Sequence, residues 1–340
     1  MKTVIFVITK PEVGGAQTWV YEQAKILSGE CRIILVTSGF GWLTEKSIFN
    51  EIEIIPELTK MLSIKALIKL VFIIRKYKAC VVVSSSANAG VYSRGAKLFR
   101  RFRCIYVSHG WSCLYNGGRL KKTFCFIEML LSKITDVVWC ISKSDAKKAE
   151  DLIGITKSKI RVIQNSISPL PNRKRHDFRG RVLFVGRLMY PKRPDLIAEV
   201  IAGNPHCSLD IVGGGDMYSE LYKKFGGVKN ISFLGEIDSF SDFNKYDIFV
   251  LTSESEGLPM SALEAGSAGL PMILSDVGGC FEVLGGNNGI LVSNNKEDIE
   301  SALTLIIDNY DQFYDFADSY RSFFDINEKK EIYKRLIFGY

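Results

Sequence analysis

Histidine is scarce in this chain, at three residues, and its eight cysteines (Cys31, Cys80, Cys104, Cys113, Cys125, Cys140, Cys207 and Cys280) nowhere form a C-x-x-C pair. With neither a metal-ligand spacing nor a clustered thiol pattern, a metal site or a disulfide framework is not expected. Long apolar runs are also missing. The longest, Leu62 to Ile74, is interrupted by Lys65 and Lys69 and falls short of a membrane span. Val4 to Ile8 is apolar but short and is followed at once by Thr9-Lys10-Pro11, the signature of a first strand rather than a signal peptide. There is no fixed-period repeat and no low-complexity tract. Ile211-Val212-Gly213-Gly214-Gly215-Asp216 is glycine-rich after a strand but lacks the G-x-G-x-x-G spacing, which argues against a nicotinamide site. These absences leave a cytoplasmic chain as the expectation.

What is present is enough apolar residue for two cores: 340 residues, 47% of them hydrophobic. Charge divides unevenly between the halves. Residues 1–165 carry 26 Lys and Arg against 12 Asp and Glu, and residues 166–340 carry 18 against 25. The basic half points to an anionic partner; without a nucleic-acid-binding motif beside the charge, a lipid surface is favoured over nucleic acid. Short β-rich runs alternate with helical segments: Val4–Ile8, Ile33–Val36, Cys80–Val83, Cys104–Val107, Val137–Ile141 and Ile160–Ile163. The rhythm restarts after residues 165–178 with Arg181–Val185, Ser208–Val212, Ile231–Phe233, Ile248–Leu251, Pro271–Leu274 and Gly289–Val292. Such alternation is that of two mostly parallel α/β sheets, with 165–178 as the linker.

Four motifs carry chemistry. In Glu256-Gly257-Leu258-Pro259-Met260, followed by the small residues Ser261 to Ala268, Gly257 permits close backbone approach and Pro259 suits a first helical turn. The predicted helix start is then a phosphate seat, with Glu256 and Glu264 flanking it as acceptors for sugar hydroxyls. Gly14-Gly15 lies between the first strand and a helix predicted over 17–27, where a phosphate or sugar could approach; a plain strand-to-helix turn is the alternative. His109 follows the strand Cys104–Val107, at the carboxyl edge where α/β ligands bind, although a lone loop histidine is more often structural. Arg187 and Lys192 leave the first strand of the second half, where they suit a diphosphate or simply a solvated loop. Basic segments at 60–78, 94–103 and 119–133 suggest a face for anionic lipid, the alternative being ordinary helices with solvated lysines.

The ordered set Gly14-Gly15, His109-Gly110, Val162 to Ile167, Gly186-Arg187-Leu188 with Lys192, and Glu256 with Glu264 resembles the retaining family-four glycosyltransferases of the GT-B fold. The resemblance covers nearly the whole chain, most strongly 181–292. It implies two Rossmann-like domains with parallel sheets facing across a cleft: residues 1–168 for the acceptor, joined by a returning helix at about 322–340, and residues 177–321 for a nucleotide diphosphate-sugar, most often a uridine one. By the same resemblance His109, Arg187, Lys192 and Glu256 form the catalytic set. Gly14, Gly15, Gly257, Leu258, Met260 and Glu264 bind the donor. No metal and no resident cofactor are implied. The acceptor would be a glycan or a polyprenyl-diphosphate-linked glycan in capsule, lipopolysaccharide or other surface polysaccharide assembly, with peripheral contact to the inner membrane face. A non-catalytic sugar-nucleotide-binding partner subunit and a UDP-sugar 2-epimerase are the competing readings. Asn165-Ser166 replaces the usual Asn-Gly, and Lys192 is followed by Arg193-Pro194 where Gly is common.

Overall fold

The computed structural model describes residues 1–115 and 117–340. The chain divides into two units, one of Met1–Gln164 with Lys329–Tyr340 and one of Asn165–Glu328.

The first unit is built on a seven-stranded parallel sheet: β1 (Thr3–Val7), β2 (Arg32–Thr37), β3 (Glu51–Ile54), β4 (Val81–Ser84), β5 (Arg103–Ser108), β6 (Val137–Cys140) and β7 (Ile160–Val162), in the order β3-β2-β1-β4-β5-β6-β7. Parallel strands covered on both faces read as unbroken apolar runs, and β1 is buried at every position. Helices α1 (Gly15–Leu27), α2 (Ile64–Lys76), α3 (Ala87–Ala96), α4 (Ser112–Tyr115), α5 (Lys121–Ile134) and α6 (Lys143–Lys148) connect the strands. The α2 helix buries Leu70, Ile73 and Ile74 against Ile5, Val7, Ile34, Val36 and Val82 of the sheet. One strand, β3, was not expected. Its Glu-Ile-Glu-Ile sequence is half exposed at the sheet edge and too short and too charged for the apolar pattern to reveal.

The second unit repeats the plan with six parallel strands, β8 (Arg181–Val185), β9 (Ser208–Val212), β10 (Ile231–Gly235), β11 (Ile248–Leu251), β12 (Met272–Ser275) and β13 (Gly289–Val292), in the order β10-β9-β8-β11-β12-β13. Its helices are α7 (Pro194–Ala202), α8 (Tyr218–Phe225), α9 (Met260–Ser267), α10 (Lys296–Asp308) and α11 (Tyr310–Ser319). Two parallel-sheet Rossmann-like units are therefore what the sequence rhythm described. Residues 165–178 are more than a tether. Arg173 within them is 1% exposed and paired with the equally buried Asp247, whose Oδ2 accepts from the Arg181 amide at 2.8 Å and whose Oδ1 accepts from the Tyr310 hydroxyl at 3.0 Å.

The last helix, α12 (Ile326–Phe338), sends its C-terminal part into the first unit. Tyr333 packs on Trp139 with ring centroids 5.4 Å apart and donates to the Gln164 carbonyl at 2.8 Å, while Arg103 donates to the Leu336 carbonyl at 3.0 Å. Among the described residues no helix is long and apolar enough to cross a membrane.

Candidate functional site

In the second unit, the loops leaving β8 and β11 are sewn together at the carboxyl edge of the sheet. Lys192 and Ser253 form an antiparallel bridge, the Glu254 amide donates to the Pro191 carbonyl at 2.8 Å, and the Arg193 amide donates to the Thr252 carbonyl at 2.9 Å. Ser275 and Asn294, from the next two strand ends, extend the seam. The Ser253 amide donates to Ser275 Oγ at 2.9 Å, and Asn294 Nδ2 to the Ser253 carbonyl at 2.8 Å. This framework brings the Lys192 ammonium onto the Glu256 carboxylate as a partly buried, charge-assisted hydrogen bond. The sequence suggests both residues for the site; the structure joins them directly.

Glu256 is held by a glycine far along the chain. Gly278 has φ +56, and a Cβ there would lie 1.7 Å from the Glu256 carbonyl oxygen. Any side chain would displace either the Val277–Gly279 turn or Glu256 itself. Immediately after, Pro259 caps α9, which begins at Met260. Leu258 and Met260 are 4% and 8% exposed, so their side chains pack inward and backbone is what they offer a ligand. The first amides of α9 lack intrahelical acceptors and carry the positive end of the helix dipole. Glu264, one turn into α9, is half-buried. Arg187 lies apart from the ion pair: it is exposed, and its guanidinium has no ion-pair or hydrogen-bond partner among the described residues. The glycine run after β9 serves its neighbour. A Cβ at Gly213 would come within 1.9 Å of the Gly186 carbonyl and one at Gly215 within 2.6 Å of the Leu188 carbonyl, so these glycines let the β9 loop back the Arg187 loop.

In the first unit the ends of β1, β4 and β5 converge similarly. His109 sits just past β5, half-buried, with Nε2 2.6 Å from Ser85 Oγ and its ring edge-on to Trp19 at 5.3 Å. Burial drives its pKa down to about 3, so the imidazole is neutral at ordinary pH. Ser86 Oγ accepts from the Thr9 amide at 3.0 Å and lies 2.7 Å from Thr9 Oγ1, tying the loop that leads to Gly14 onto the end of β4. Gly15 is the first residue of α1 and is exposed, two residues before the predicted helix start; Gly14 caps it, with its carbonyl accepting from Thr18 at 2.9 Å.

Three residues of this arrangement were not anticipated: Ser85, Thr9 and Asn294. The only local signal for Ser85 was its position in Ser84-Ser85-Ser86, a polar triplet directly after a fully buried run. The others act through partners distant in sequence.

Comparison with known proteins gives this geometry a context. Residues 13–169 match the family described as Glycosyltransferase Family 4, and residues 179–309 that described as Glycosyl transferases group 1. The chain is 49% identical over 339 residues, the whole length of both proteins, to the O-antigen biosynthesis glycosyltransferase WbnH of Escherichia coli. At 27% identity, covering 74% of this chain and 73% of the relative, it is similar to a UDP-Gal:alpha-D-GlcNAc-diphosphoundecaprenol alpha-1,3-galactosyltransferase of Escherichia coli. Among solved structures, Anabaena HepE in complex with UDP-glucose superposes with a TM-score of 0.84 at 16% identity, covering 100% of both chains. Sucrose-phosphate synthase from Thermosynechococcus elongatus superposes at 0.83 and 16%, again over 100% of both. The fold is that of GT-B proteins.

Proposed function

Because the chain belongs to the GT-B glycosyltransferases, joining a family 4 domain to a group 1 domain, we propose that it is a retaining enzyme that transfers a hexose or N-acetylhexosamine from a UDP-sugar. The acceptor is a glycan or polyprenyl-diphosphate-linked glycan in O-antigen or related surface polysaccharide assembly. The observation that carries this reading is the Lys192–Glu256 ion pair beside the start of α9.

An ammonium has three N–H donors and a carboxylate two acceptor oxygens, so pairing leaves both with capacity to spare. Lys192 directs its remaining donors, together with the uncommitted Arg187 guanidinium, to the donor diphosphate, and stabilises the charge that builds as the glycosidic bond breaks. Glu256 accepts from a hydroxyl of the donor sugar through its second oxygen. The backbone of Gly257, Leu258 and Met260 holds the distal phosphate at the helix start, and Glu264 accepts from the ribose. Gly14 and Gly15 leave room for the phosphate side of the donor. His109, neutral and steadied by Ser85, meets the transferred sugar as a hydrogen-bonding group rather than as a cation. The two cations do the neutralising that a metal would otherwise do, so the reaction needs none. Contact of the basic first unit with the inner membrane face, where a lipid-linked acceptor is presented, belongs to the same reading.

The test is transfer from a panel of nucleotide sugars to a polyprenyl-diphosphate-linked acceptor, by wild type, Glu256→Ala and Lys192→Ala. Loss of turnover on the order of 100-fold or more in each variant is expected. Equal rates would exclude the assigned site, and full inhibition by EDTA reversed by a divalent cation would exclude the metal-free mechanism.

A further inference from the structure

Arg193 stands directly after the lysine of the Lys192–Glu256 pair, where the family this chain resembles commonly has glycine. Its backbone belongs to the seam between the β8 and β11 loops. The Arg193 amide donates to the Thr252 carbonyl at 2.9 Å, and the Thr252 hydroxyl donates to the Arg193 carbonyl at 2.5 Å. Neither bond needs the side chain, so the guanidinium is committed elsewhere. Its Nε and Nη2 donate to the Asp195 carboxylate at 3.0 and 2.7 Å, and its Nη1 donates to Glu254 Oε1 at 2.7 Å. A planar fork can serve two carboxylates at fixed angles, which a single ammonium cannot. Asp195 lies in the first turn of α7, and Glu254 lies in the loop after β11, two residues before Glu256. One side chain therefore ties the start of a helix to the loop that carries the site's acid.

Charge gives this tie a consequence beyond packing. Residues 191–195 and 253–257 carry two cations, Lys192 and Arg193, against three carboxylates, Asp195, Glu254 and Glu256. The pairing is ordered: Lys192 takes Glu256, and Arg193 takes the other two. A diphosphate brings negative charge of its own, and unneutralised carboxylates beside it would repel it. Glu254 would also be a second acceptor for the Lys192 ammonium, leaving fewer of its three donors for phosphate oxygens. Stability does not account for the arrangement. The Arg193 and Glu254 side chains are 32% and 39% exposed, and ion pairs so open to water add little to it.

We propose that Arg193 is a positioning residue for donor binding, holding Asp195 and Glu254 so that neither confronts the diphosphate unneutralised nor draws Lys192 away from Glu256. It touches no reacting atom and acts through the carboxylates it occupies. The inference rests on the proposed nucleotide-sugar donor and adds a requirement that Lys192 and Glu256 do not meet by themselves. Removing the Arg193 charge weakens donor binding more than turnover, and removing the two carboxylate charges with it restores binding. A residue that only braced the loop would behave differently at the second step, because the neutral variant braces nothing.

The experiment measures UDP affinity by calorimetry, and KM and kcat for the best nucleotide sugar of the panel. Wild type is compared with Arg193→Ala, Arg193→Lys, Glu254→Gln and the triple variant Arg193→Ala/Asp195→Asn/Glu254→Gln, with melting temperature verifying that each is folded. Arg193→Ala should weaken UDP binding and raise KM on the order of tenfold, while kcat changes by no more than about threefold. Arg193→Lys, a point charge without the fork, should fall between it and wild type. The triple variant should recover wild-type affinity to within about threefold, and added salt should narrow the gap between wild type and Arg193→Ala. Glu254→Gln, which keeps Arg193 in place, should bind UDP at least as tightly as wild type. Weaker binding by Glu254→Gln, or a triple variant as weak as Arg193→Ala, would overturn the inference. If Lys192→Ala loses UDP affinity while Arg193→Ala keeps it, the inference falls and the donor site stands. If wild type binds neither UDP nor any nucleotide sugar of the panel, both fall.

Discussion

Lys192 and Glu256 stand 64 residues apart and meet because the loops leaving β8 and β11 share the antiparallel bridge at Lys192 and Ser253. Glu256→Gln keeps the shape and the acceptor oxygen but removes the charge that orients Lys192. Its turnover should fall on the order of 100-fold with little loss of melting temperature, which steady-state kinetics and thermal unfolding together would read. His109 makes a prediction about pH. Its folded pKa, about 3, lies below the ordinary value of 6.5, so between these limits the unfolded chain binds the extra proton. Stability therefore rises with pH through that window and falls as the solution is acidified below about 6.5, by up to about 1.4 kcal/mol per pH unit for this one group. His109→Asn should flatten the slope of unfolding free energy against pH between about 4 and 6; an unchanged slope would show that another group carries it. Both residues were visible in the sequence as members of an ordered motif set. Their settings were not, because Ser85 and Gly278 reach them only through the folded chain.

Among the elements, the Val277–Gly279 turn after β12 decides where Glu256 stands. Gly278→Ala adds a methyl in a left-handed backbone position against the Glu256 carbonyl, and should cost about 1–3 kcal/mol of stability. Because the strain is discharged onto the Glu256 loop, turnover should drop by more than the change in melting temperature accounts for. Gly227→Ala, where nothing lies within 4 Å of the added carbon, is the control. Twelve of the thirteen strands among the described residues could be read from the sequence because parallel strands covered by helices are continuous apolar runs, and such runs are the strongest local signal available. The edge strand β3 escaped because half of its residues are charged: Glu51 is exposed, and Glu53 is held by Lys76 and the Tyr77 hydroxyl. The segment 165–178 shows the same limit from the other side. Its sequence reads as a linker, yet Arg173 is driven into the second unit by Asp247 and the ring of Tyr314, 4.5 Å from its guanidinium. Arg173→Ala leaves a buried carboxylate without its cation and should lower unfolding free energy by about 3–5 kcal/mol in denaturant titration. A neutral result would mean that the Tyr310 hydroxyl and the backbone amides suffice for Asp247.

For the whole molecule, charge and fold divide along nearly the same line. The first 165 residues hold the excess of Lys and Arg, and the units part at Gln164 and Asn165. On the proposed reading, the basic unit serves anionic partners and the second unit serves a nucleotide sugar, whose own charge is met by two particular cations rather than by a field. The sequence motifs that first suggested a phosphate seat at Gly257–Met260 thus gain a partner in Lys192 and a support in Gly278. The most direct test of the central claim is the anomeric configuration of the product, determined by NMR after transfer from an α-linked UDP-sugar to a polyprenyl-diphosphate-linked acceptor. The account predicts an α-linked product from wild type and loss of its formation in Glu256→Ala. A β-linked product, or undiminished transfer by that variant, would contradict it.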